Sequence, residues 1–281
     1  MNGYLKIILA TFLFSISPPI VKVISLDAIS IIWAMNLTGV LVLTIRAIVH
    51  GRSKEVFDFK GNFGVVLLLG ITTTINNVFF LTAVKTTTIA NAMLTHYLNP
   101  IFVILFGYIL LREKVTKSTI LALVMSLSGL AIMMLPNELT FSNAHFLGIM
   151  LGTGSAVFLG LEVVFKKMLS KRMPSDIVVL QYLTVPVILL LPFVSYKNLF
   201  SLDPAGIFGI IFIGTALIAG GITLFISGLK QVKAQKAGVL SYIEPLGAIL
   251  WGLLILKEWL SLETIIGGLL ILLGTYLVIK K

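Results

Sequence analysis

The chain of 281 residues is 58% hydrophobic and 11% charged, whereas a typical soluble domain carries about 25% charged residues. This composition excludes an ordinary water-soluble globular protein, and the lack of cysteine excludes disulfides and thiolate metal sites. The net charge of +10 does not indicate a nucleic-acid partner, because the basic residues lie between apolar segments and form no continuous basic face.

Ten apolar runs are each long enough to cross a membrane, which takes about 20 mostly apolar residues. In chain order they cover residues 4–24, 28–49, 62–84, 88–111, 118–136, 145–166, 176–195, 205–229, 234–256 and 262–279. The first run lacks a small-residue cleavage site, so we expect a retained helix and no cleaved signal peptide. The sequence therefore predicts an all-α integral membrane protein with ten transmembrane helices.

The basic residues predict how these runs are oriented. With both termini in the cytoplasm, 17 of the 21 Lys and Arg residues lie on the cytoplasmic side. This bias follows the positive-inside rule. We therefore expect a multi-pass protein whose termini are both cytoplasmic.

The second half of the chain repeats the first half at an offset of 145 positions. Tyr97 aligns with Tyr242, Pro100 with Pro245, and Asn99 with Glu244. The loop after the fourth run carries three basic residues and its equivalent after the ninth carries one, while the loops after the third and eighth runs show the opposite bias. This pattern predicts two five-helix repeats of inverted topology, residues 1–136 and 137–281, which is typical of secondary transporters.

Three motifs resemble the drug/metabolite transporter superfamily, of the EamA type, and the resemblance covers essentially the whole chain. They are the opening Leu13–Lys22, then Tyr97-Leu98-Asn99-Pro100 with Leu111-Arg112-Glu113, and Tyr242-Ile243-Glu244-Pro245 with Leu256-Lys257-Glu258. The resemblance implies export of amino acids or other small metabolites across the inner or plasma membrane. It also implies alternating access and no bound cofactor.

The chain departs from this family in two places. Similar proteins often carry a basic residue near the position of Asn36, whereas here the second run is uncharged before Arg46. The first repeat also has Asn99 where Glu-Pro is more usual. With no buried Lys or Arg predicted, we expect a neutral or zwitterionic amino acid, or an amphipathic cation, as substrate.

Glu244 lies near the middle of the ninth run, where an ionisable side chain costs about 2.5–3.5 kcal/mol on insertion scales. One interpretation is a proton site or a counter-ion for a substrate amine. The other is a neutral side chain that is hydrogen-bonded within the bundle, before the helix break expected at Pro245.

His96 and Asn99 have the same i, i+3 spacing as their equivalents Ser241 and Glu244, so each pair shares one helix face. If the repeat axis brings these faces together, His96 could relay protons or pair with Glu244. The alternative is a neutral histidine that is hydrogen-bonded to a neighbouring carbonyl.

Amide side chains within the runs either hold helices together or line a cavity. Asn36 and Gln181 are repeat equivalents, so we expect both to face the centre. Asn76 and Asn77 point about 100° apart, so we expect at most one of them, with Asn77 as the candidate, to line a site. Candidate aromatic walls, with packing as the alternative, are Trp33, Tyr97, Tyr182, Tyr242 and Trp251.

Prolines inside the runs remove backbone donors, and the freed carbonyls need neighbours or a cavity. We therefore expect hinge-like bending at Pro18, Pro19, Pro100 and Pro245. Glu162, one turn inside the end of the sixth run, is expected to form an ion pair with Lys166 near the interface.

These observations predict a transporter and no enzyme, since the chain has no HExxH motif and no paired intramembrane aspartates. The alternative function is a multidrug exporter or a lipid-headgroup flippase of the same fold. We expect no cofactor, no metal and no nucleic-acid partner. The lipid bilayer, a small-molecule substrate and protons as a candidate coupling ion are the expected partners, and a monomer is sufficient.

Overall fold

The computed structural model describes residues 1–17, 20–21, 24–87, 89–133, 146–251 and 262–280. Helices and short turns make up these ranges, and seven helical stretches are long and apolar enough to cross a membrane. Two shorter apolar helices, Gly3–Phe14 and Lys117–Met133, add to them. The predicted all-α membrane fold is thereby confirmed.

Fourteen α-helices follow one another along the described ranges. They are α1 (Gly3–Phe14), α2 (Ala28–Val49), α3 (Phe63–Thr86), α4 (Ile89–His96), α5 (Asn99–Leu111), α6 (Lys117–Met133), α7 (Phe146–Ser170), α8 (Ser175–Leu190), α9 (Tyr196–Phe200), α10 (Pro204–Phe212), α11 (Thr223–Leu229), α12 (Ala234–Leu240), α13 (Ile243–Trp251) and α14 (Leu262–Lys280). A π-helical segment, Ile213–Ile222, joins α10 to α11.

Four predicted runs have a more complex structure than a single continuous helix. In the first run, α1 ends at Phe14, and Ser15 and Ile16 form a turn. The fourth run is divided into α4 and α5, and the ninth into α12 and α13. The eighth contains the π-helical segment, which the sequence did not predict. The sixth run continues as far as Ser170, four residues beyond its predicted end.

The described chain forms two compact units, and each takes helices from both sequence repeats. The first unit comprises Met1–Thr74 and Phe165–Lys230, and the second comprises Ile75–Val164 and Gln231–Lys281. These units follow packing, whereas the predicted boundary near residue 136 follows sequence repetition, so the two divisions describe different properties.

In the first unit, α2 packs along α8 and along the π-helical segment, and α1 packs along α11. Glycines allow the close approach of α2 to the π-helical segment and of α1 to α11, because a Cβ atom on Gly39 would lie 2.8 Å from Ile218 and one on Gly228 would lie 2.7 Å from Ile7. The apolar core of this unit includes Leu43, Leu69 and Ile226. Close backbone approach through small residues is how helices associate in lipid.

In the second unit, the repeat equivalents α6 and α14 pack through glycine. A Cβ atom on Gly129 would lie 2.5 Å from the Gly267 carbonyl oxygen, and one on Gly274 would lie 2.8 Å from the Ala122 carbonyl oxygen. Residue numbers rise along one helix as they fall along the other, so α6 and α14 run antiparallel. The two contacts are also reciprocal, since Gly274 is the equivalent of Gly129 and Gly267 that of Ala122.

Candidate substrate site at two broken helices

The break between α4 and α5 follows from Pro100, which is in the first turn of α5. Proline has no N–H group to donate to the carbonyl four residues earlier, which belongs to His96. Asn99 fills this gap, because its Nδ2 donates to the His96 carbonyl oxygen at 3.2 Å. The backbone tightens at the break, where Leu98 N–H bonds to Thr95 and Ile101 N–H bonds to Leu98.

The break between α12 and α13 lies at the equivalent position in the second repeat. Here Pro245 leaves the Ser241 carbonyl without its usual donor, and Glu244 occupies the position of Asn99. The backbone N–H of Glu244 donates to that carbonyl at 3.0 Å. The Glu244 carboxyl is partly buried, and within the described residues it forms no hydrogen bond or ion pair.

The two breaks meet through a pair of equivalent tyrosines. The Tyr242 hydroxyl donates to the Tyr97 carbonyl oxygen at 2.9 Å, and both side chains are buried. That carbonyl is free because Ile101 N–H, its usual donor, bonds to Leu98 instead. A side chain of one break thus satisfies a backbone group exposed by the other.

The helices that cross here run antiparallel. Gly107 of α5 lies against Gln235 of α12, and Gly238 of α12 lies against Val103 of α5. At the N-terminus of α12, Glu113 accepts hydrogen bonds from the backbone N–H groups of Ala234 and Gln235 at 3.0 and 3.3 Å. A carboxylate at a helix N-terminus satisfies orphan donors and complements the helix dipole.

Hydrogen bonds define the tautomer of His96. The Ser155 hydroxyl donates to the Gly152 carbonyl at 2.7 Å, and His96 Nδ1 lies 2.8 Å from the Ser155 oxygen. Because a hydroxyl has a single hydrogen to donate, His96 Nδ1 must be the donor in this pair. When His96 is neutral, its Nε2 is therefore an acceptor. The ring centroid lies 4.2 Å from that of Phe80.

Six predicted residues lie at these two breaks, all in the second unit. The Tyr97 phenol is close enough to the Glu244 carboxyl for direct electrostatic interaction, and the ring centroids of His96 and Tyr97 are 5.9 Å apart. The Ser241 hydroxyl donates to the Ala237 carbonyl at 3.2 Å. The group is His96, Tyr97, Asn99, Ser241, Tyr242 and Glu244.

Of the two adjacent asparagines on α3, Asn76 is buried and Asn77 is partly buried. Asn76 Nδ2 donates to Glu162 Oε1 on α7 at 2.8 Å, and the two residues are 5% and 2% exposed. Glu162 lies two turns inside the end of α7 and not one, because the helix extends to Ser170. A carboxylate buried this deeply needs such a donor.

Two lysines, one at the predicted end of the sixth run and one just beyond it, are buried in the last turns of α7. Lys166 and Lys167 are 8% and 9% exposed. The Lys167 ammonium donates to the Leu229 carbonyl at the C-terminus of α11, and the Lys166 ammonium lies 5.6 Å from the centroid of the Tyr182 ring. The expectation that no cation is buried was therefore wrong. One feature of the sequence could have indicated this burial: Lys166 lies four residues after Glu162, the spacing at which two side chains on one helix face can interact.

The remaining predicted polar residues belong to the first unit. Asn36 is 4% exposed, and within the described residues its Nδ2 has no hydrogen-bond acceptor. Gln181 Nε2 donates to the carbonyls of Glu55, Val56 and Asp58 at 3.1–3.2 Å, so it holds the turn that follows α2. The indole N–H of Trp33 donates to the Val187 carbonyl at 2.9 Å.

Some predicted positions lie outside the described residues, namely Pro18, Pro19, Lys257 and Glu258. Among the described residues, no three His, Asp or Glu side chains are grouped so that they could hold a metal ion.

Comparisons with known proteins agree with this architecture. A sequence model of the EamA-like transporter family matches the chain twice, over residues 1–135 and 146–280. An uncharacterized transporter from Archaeoglobus fulgidus is 34% identical over 196 residues, which is 69% of this chain and 68% of that protein. Human solute carrier family 35 member G1 is 22% identical over 256 residues, which is 88% of this chain and 69% of the human protein.

The fold has also been solved in another protein. One crystal structure with 18% sequence identity superposes with a TM-score of 0.80 and covers 98% of this chain and 94% of the other. At that identity, the likeness supports the fold alone.

Proposed function

The chain belongs to the EamA-like transporter family, and on this premise we propose that it exports amino acids or similar neutral or zwitterionic metabolites by alternating access. The substrate binds where the two broken helices cross, with Glu244 as the central residue. The protein is a multi-pass component of the inner or plasma membrane, and both termini are cytoplasmic. Family membership indicates a membrane transporter and favours no enzymatic activity.

Inverted topology of the two repeats is part of this proposal. Its support is the antiparallel packing of the equivalent helices α6 and α14, together with the opposite charge bias of equivalent loops. An inverted pair is related by a pseudo-twofold axis in the membrane plane. Equivalent residues that lie beside such an axis contact each other, and Tyr242 contacts its own equivalent, Tyr97.

The observation that carries the proposal is the Glu244 carboxyl, which lies at a helix break and forms no hydrogen bond or ion pair with the described residues. Transporters commonly bind substrate at discontinuous helices near the bilayer midplane, where unwound backbone lines a cavity. An ionisable residue within the membrane is expensive to bury and is usually functional. A carboxyl close to the Tyr97 phenol, whose ring in turn lies 5.9 Å from that of His96, suits the ammonium group of an amino acid or an amine.

A buried lysine could in principle bind an anionic group of a substrate, but the contacts of these lysines do not favour that role. Lys167 already donates to the C-terminus of α11, and a lysine there stabilises the helix end. An amine-bearing substrate remains the better match to the side chains at the two breaks.

An exometabolite profile tests the proposal. Wild type, Glu244→Gln and the matched control Glu263→Gln are expressed in one host at equal membrane levels, and the media are compared. Specific amino acids should rise with wild type and with the control, and should fall back with Glu244→Gln. Equal export by all three would show that Glu244 is structural. No change with wild type would move multidrug or lipid-headgroup substrates ahead of amino acids.

A further inference from the structure

We propose that the chain binds the headgroup of an anionic phospholipid where α7 ends and α3 begins, through Lys60, Lys171 and Arg172. The acyl chains of this lipid lie along the outward face of α3, starting at Phe63. All of these residues belong to the first unit. The site rests on the proposed function only in that it assigns this end of the helices to the cytoplasmic leaflet.

Asn62 brings two loops together at this position. It is 4% exposed, and its Oδ1 accepts a hydrogen bond from Arg172 Nη1 at 2.8 Å. Its Nδ2 donates to the carbonyls of Phe59 and Lys60 at 3.2 and 2.9 Å. Arg172 directly follows Lys171, so three basic residues from two loops adjoin one buried amide.

The three basic residues are exposed, and their side chains keep donors for a ligand. Within the described residues, the ammonium groups of Lys60 and Lys171 form no hydrogen bond or ion pair. The Arg172 guanidinium uses Nη1 for Asn62, which leaves N–H groups on Nη2 and Nε. A guanidinium and two ammonium groups form a donor set that suits a phosphate group.

The carboxylates at this end of the first unit have partners of their own. Glu55 and Asp176 pair with Arg52 at 2.9 and 2.8 Å, and Asp58 Oδ1 accepts the backbone N–H of Lys60 at 2.9 Å. The Arg52 hydrogen bonds are the main cause of the lowered pKa of Glu55, and the Lys60 charge adds a smaller effect without forming an ion pair. The basic side chains around Asn62 therefore remain available for an anion.

The loop that carries Lys60 is held in one conformation. Gln181, which is 3% exposed, donates to three carbonyls of this loop at 3.1–3.2 Å. Lys60 itself has a φ of +48°, a left-handed conformation that is strained for lysine and that asparagine adopts more readily. Strain of this kind persists only where the surrounding structure imposes it, and it is concentrated at ligand sites.

The apolar surface beside the basic residues favours a lipid over a free anion. Phe63, which directly follows Asn62, is 57% exposed, and Leu67 is also exposed one turn further along α3. Residues at this spacing lie on one helix face, so an apolar strip leads away from the basic residues. A phospholipid presents a phosphate and acyl chains together, and anionic lipids attract basic residues at the membrane surface.

Lipid binding to the full-length protein tests the site without any transport substrate. Native mass spectrometry of the detergent-solubilised protein measures the affinity for dioleoylphosphatidylglycerol. Dioleoylphosphatidylcholine and inorganic phosphate are the comparison ligands, and both should bind more weakly. Lys60→Asn should weaken phosphatidylglycerol binding by about fivefold, the effect of one lysine beside an anionic lipid surface.

Two further variants make the result specific. Lys171→Asn should weaken binding by a similar factor, and it repeats the test independently of the Lys60 loop. Lys230→Asn is the matched control, because Lys230 is an exposed lysine that follows α11 in the same unit, and its loss should leave binding unchanged. Asparagine suits the left-handed backbone at position 60, so the melting temperature of Lys60→Asn in phosphatidylcholine should hold or rise.

The proposal is overturned if Lys60→Asn and Lys230→Asn weaken binding equally, because charge would then act without a defined site. It is also overturned if phosphatidylcholine or inorganic phosphate binds as tightly as phosphatidylglycerol. Its failure is distinguishable from failure of the transport proposal. Absence of the lipid site with intact amino-acid export removes only the site, whereas the expected lipid binding without export removes only the assigned substrate class.

Discussion

Tyr242 donates its hydroxyl proton to the carbonyl oxygen of Tyr97 across 2.9 Å, and the two residues are separated by one repeat length of 145 positions. Each tyrosine lies three residues before the proline of its break. The bond therefore ties the two breaks together beside the crossing of α5 and α12. It is asymmetric, because within the described residues the Tyr97 hydroxyl makes no matching bond.

Replacing Tyr242 by Phe should destabilise the protein by about 1–3 kcal/mol, because it leaves the buried Tyr97 carbonyl without a donor. The ring itself is preserved, so packing changes little. Thermal unfolding in detergent micelles measures the effect. Tyr108→Phe is the matched control, since Tyr108 is 61% exposed and should tolerate the change. Equal melting temperatures for the two variants would contradict a role for the hydroxyl.

Alanine at Gly129 or Gly274 should separate α6 from α14. The added Cβ atoms would meet the Gly267 and Ala122 carbonyls at 2.5 and 2.8 Å, and overpacking of this kind costs about 1–3 kcal/mol. Gly64→Ala is the control, because no atom lies within 4 Å of its Cβ position and alanine favours a helix. Melting temperatures should fall for the first two variants and hold or rise for the third.

Most helix positions were predictable from the sequence, because hydrophobic run length is a local property. The second run, predicted at 28–49, coincides with α2 (Ala28–Val49). Proline chemistry likewise located the two breaks, since Pro100 and Pro245 forbid a continuous hydrogen-bond ladder. Whether these positions act as hinges stays a prediction.

The partners of the polar side chains were not predictable in the same way. Gln181 bonds to carbonyls more than a hundred positions earlier, and Asn76 bonds to Glu162 on another helix. Such contacts depend on how helices pack, which repeat alignment does not define. The buried Lys167 was missed because a charged residue at the end of a run is normally assigned to the loop, whereas α7 continues past it.

Asp27 should give the protein a pH-dependent component of stability. It caps the N-terminus of α2, where its carboxylate accepts hydrogen bonds from Ser30 N–H at 2.9 Å and Ser30 Oγ at 2.6 Å. Burial opposes ionisation, but the Ser30 bonds outweigh it, so the pKa of Asp27 is lowered. The stabilisation is present above the unfolded pKa of about 3.9 and is lost as pH falls through the lower folded value.

Asp27→Ala tests this component, because losing the cap should cost about 1 kcal/mol near neutral pH. The difference in melting temperature between wild type and Asp27→Ala should shrink as the pH is lowered below about 4. Asp27→Asn is the control, since asparagine caps a helix without titrating. A gap between wild type and Asp27→Ala that is independent of pH would show that ionisation of Asp27 contributes nothing.

Removal of the Ser155 hydroxyl should change the tautomer of His96. In the wild type the Nδ1 proton is held by Ser155, whose own proton is committed to the Gly152 carbonyl. Ser155→Ala removes this constraint, so the neutral ring should populate both tautomers. Nitrogen-15 NMR of labelled histidine distinguishes a protonated from an unprotonated ring nitrogen, and His50 at an exposed helix end provides the internal reference.

If His96 Nε2 is the acceptor for a substrate donor, loss of the fixed tautomer should raise the KM for export more than it lowers the maximal rate, because binding requires the populated tautomer. Ser126→Ala, which removes another buried hydroxyl in the same unit, should leave the histidine spectrum unchanged. An unaltered His96 spectrum in Ser155→Ala would mean that the ring is held by something other than Ser155. An altered spectrum with unaltered KM would separate the tautomer from substrate recognition.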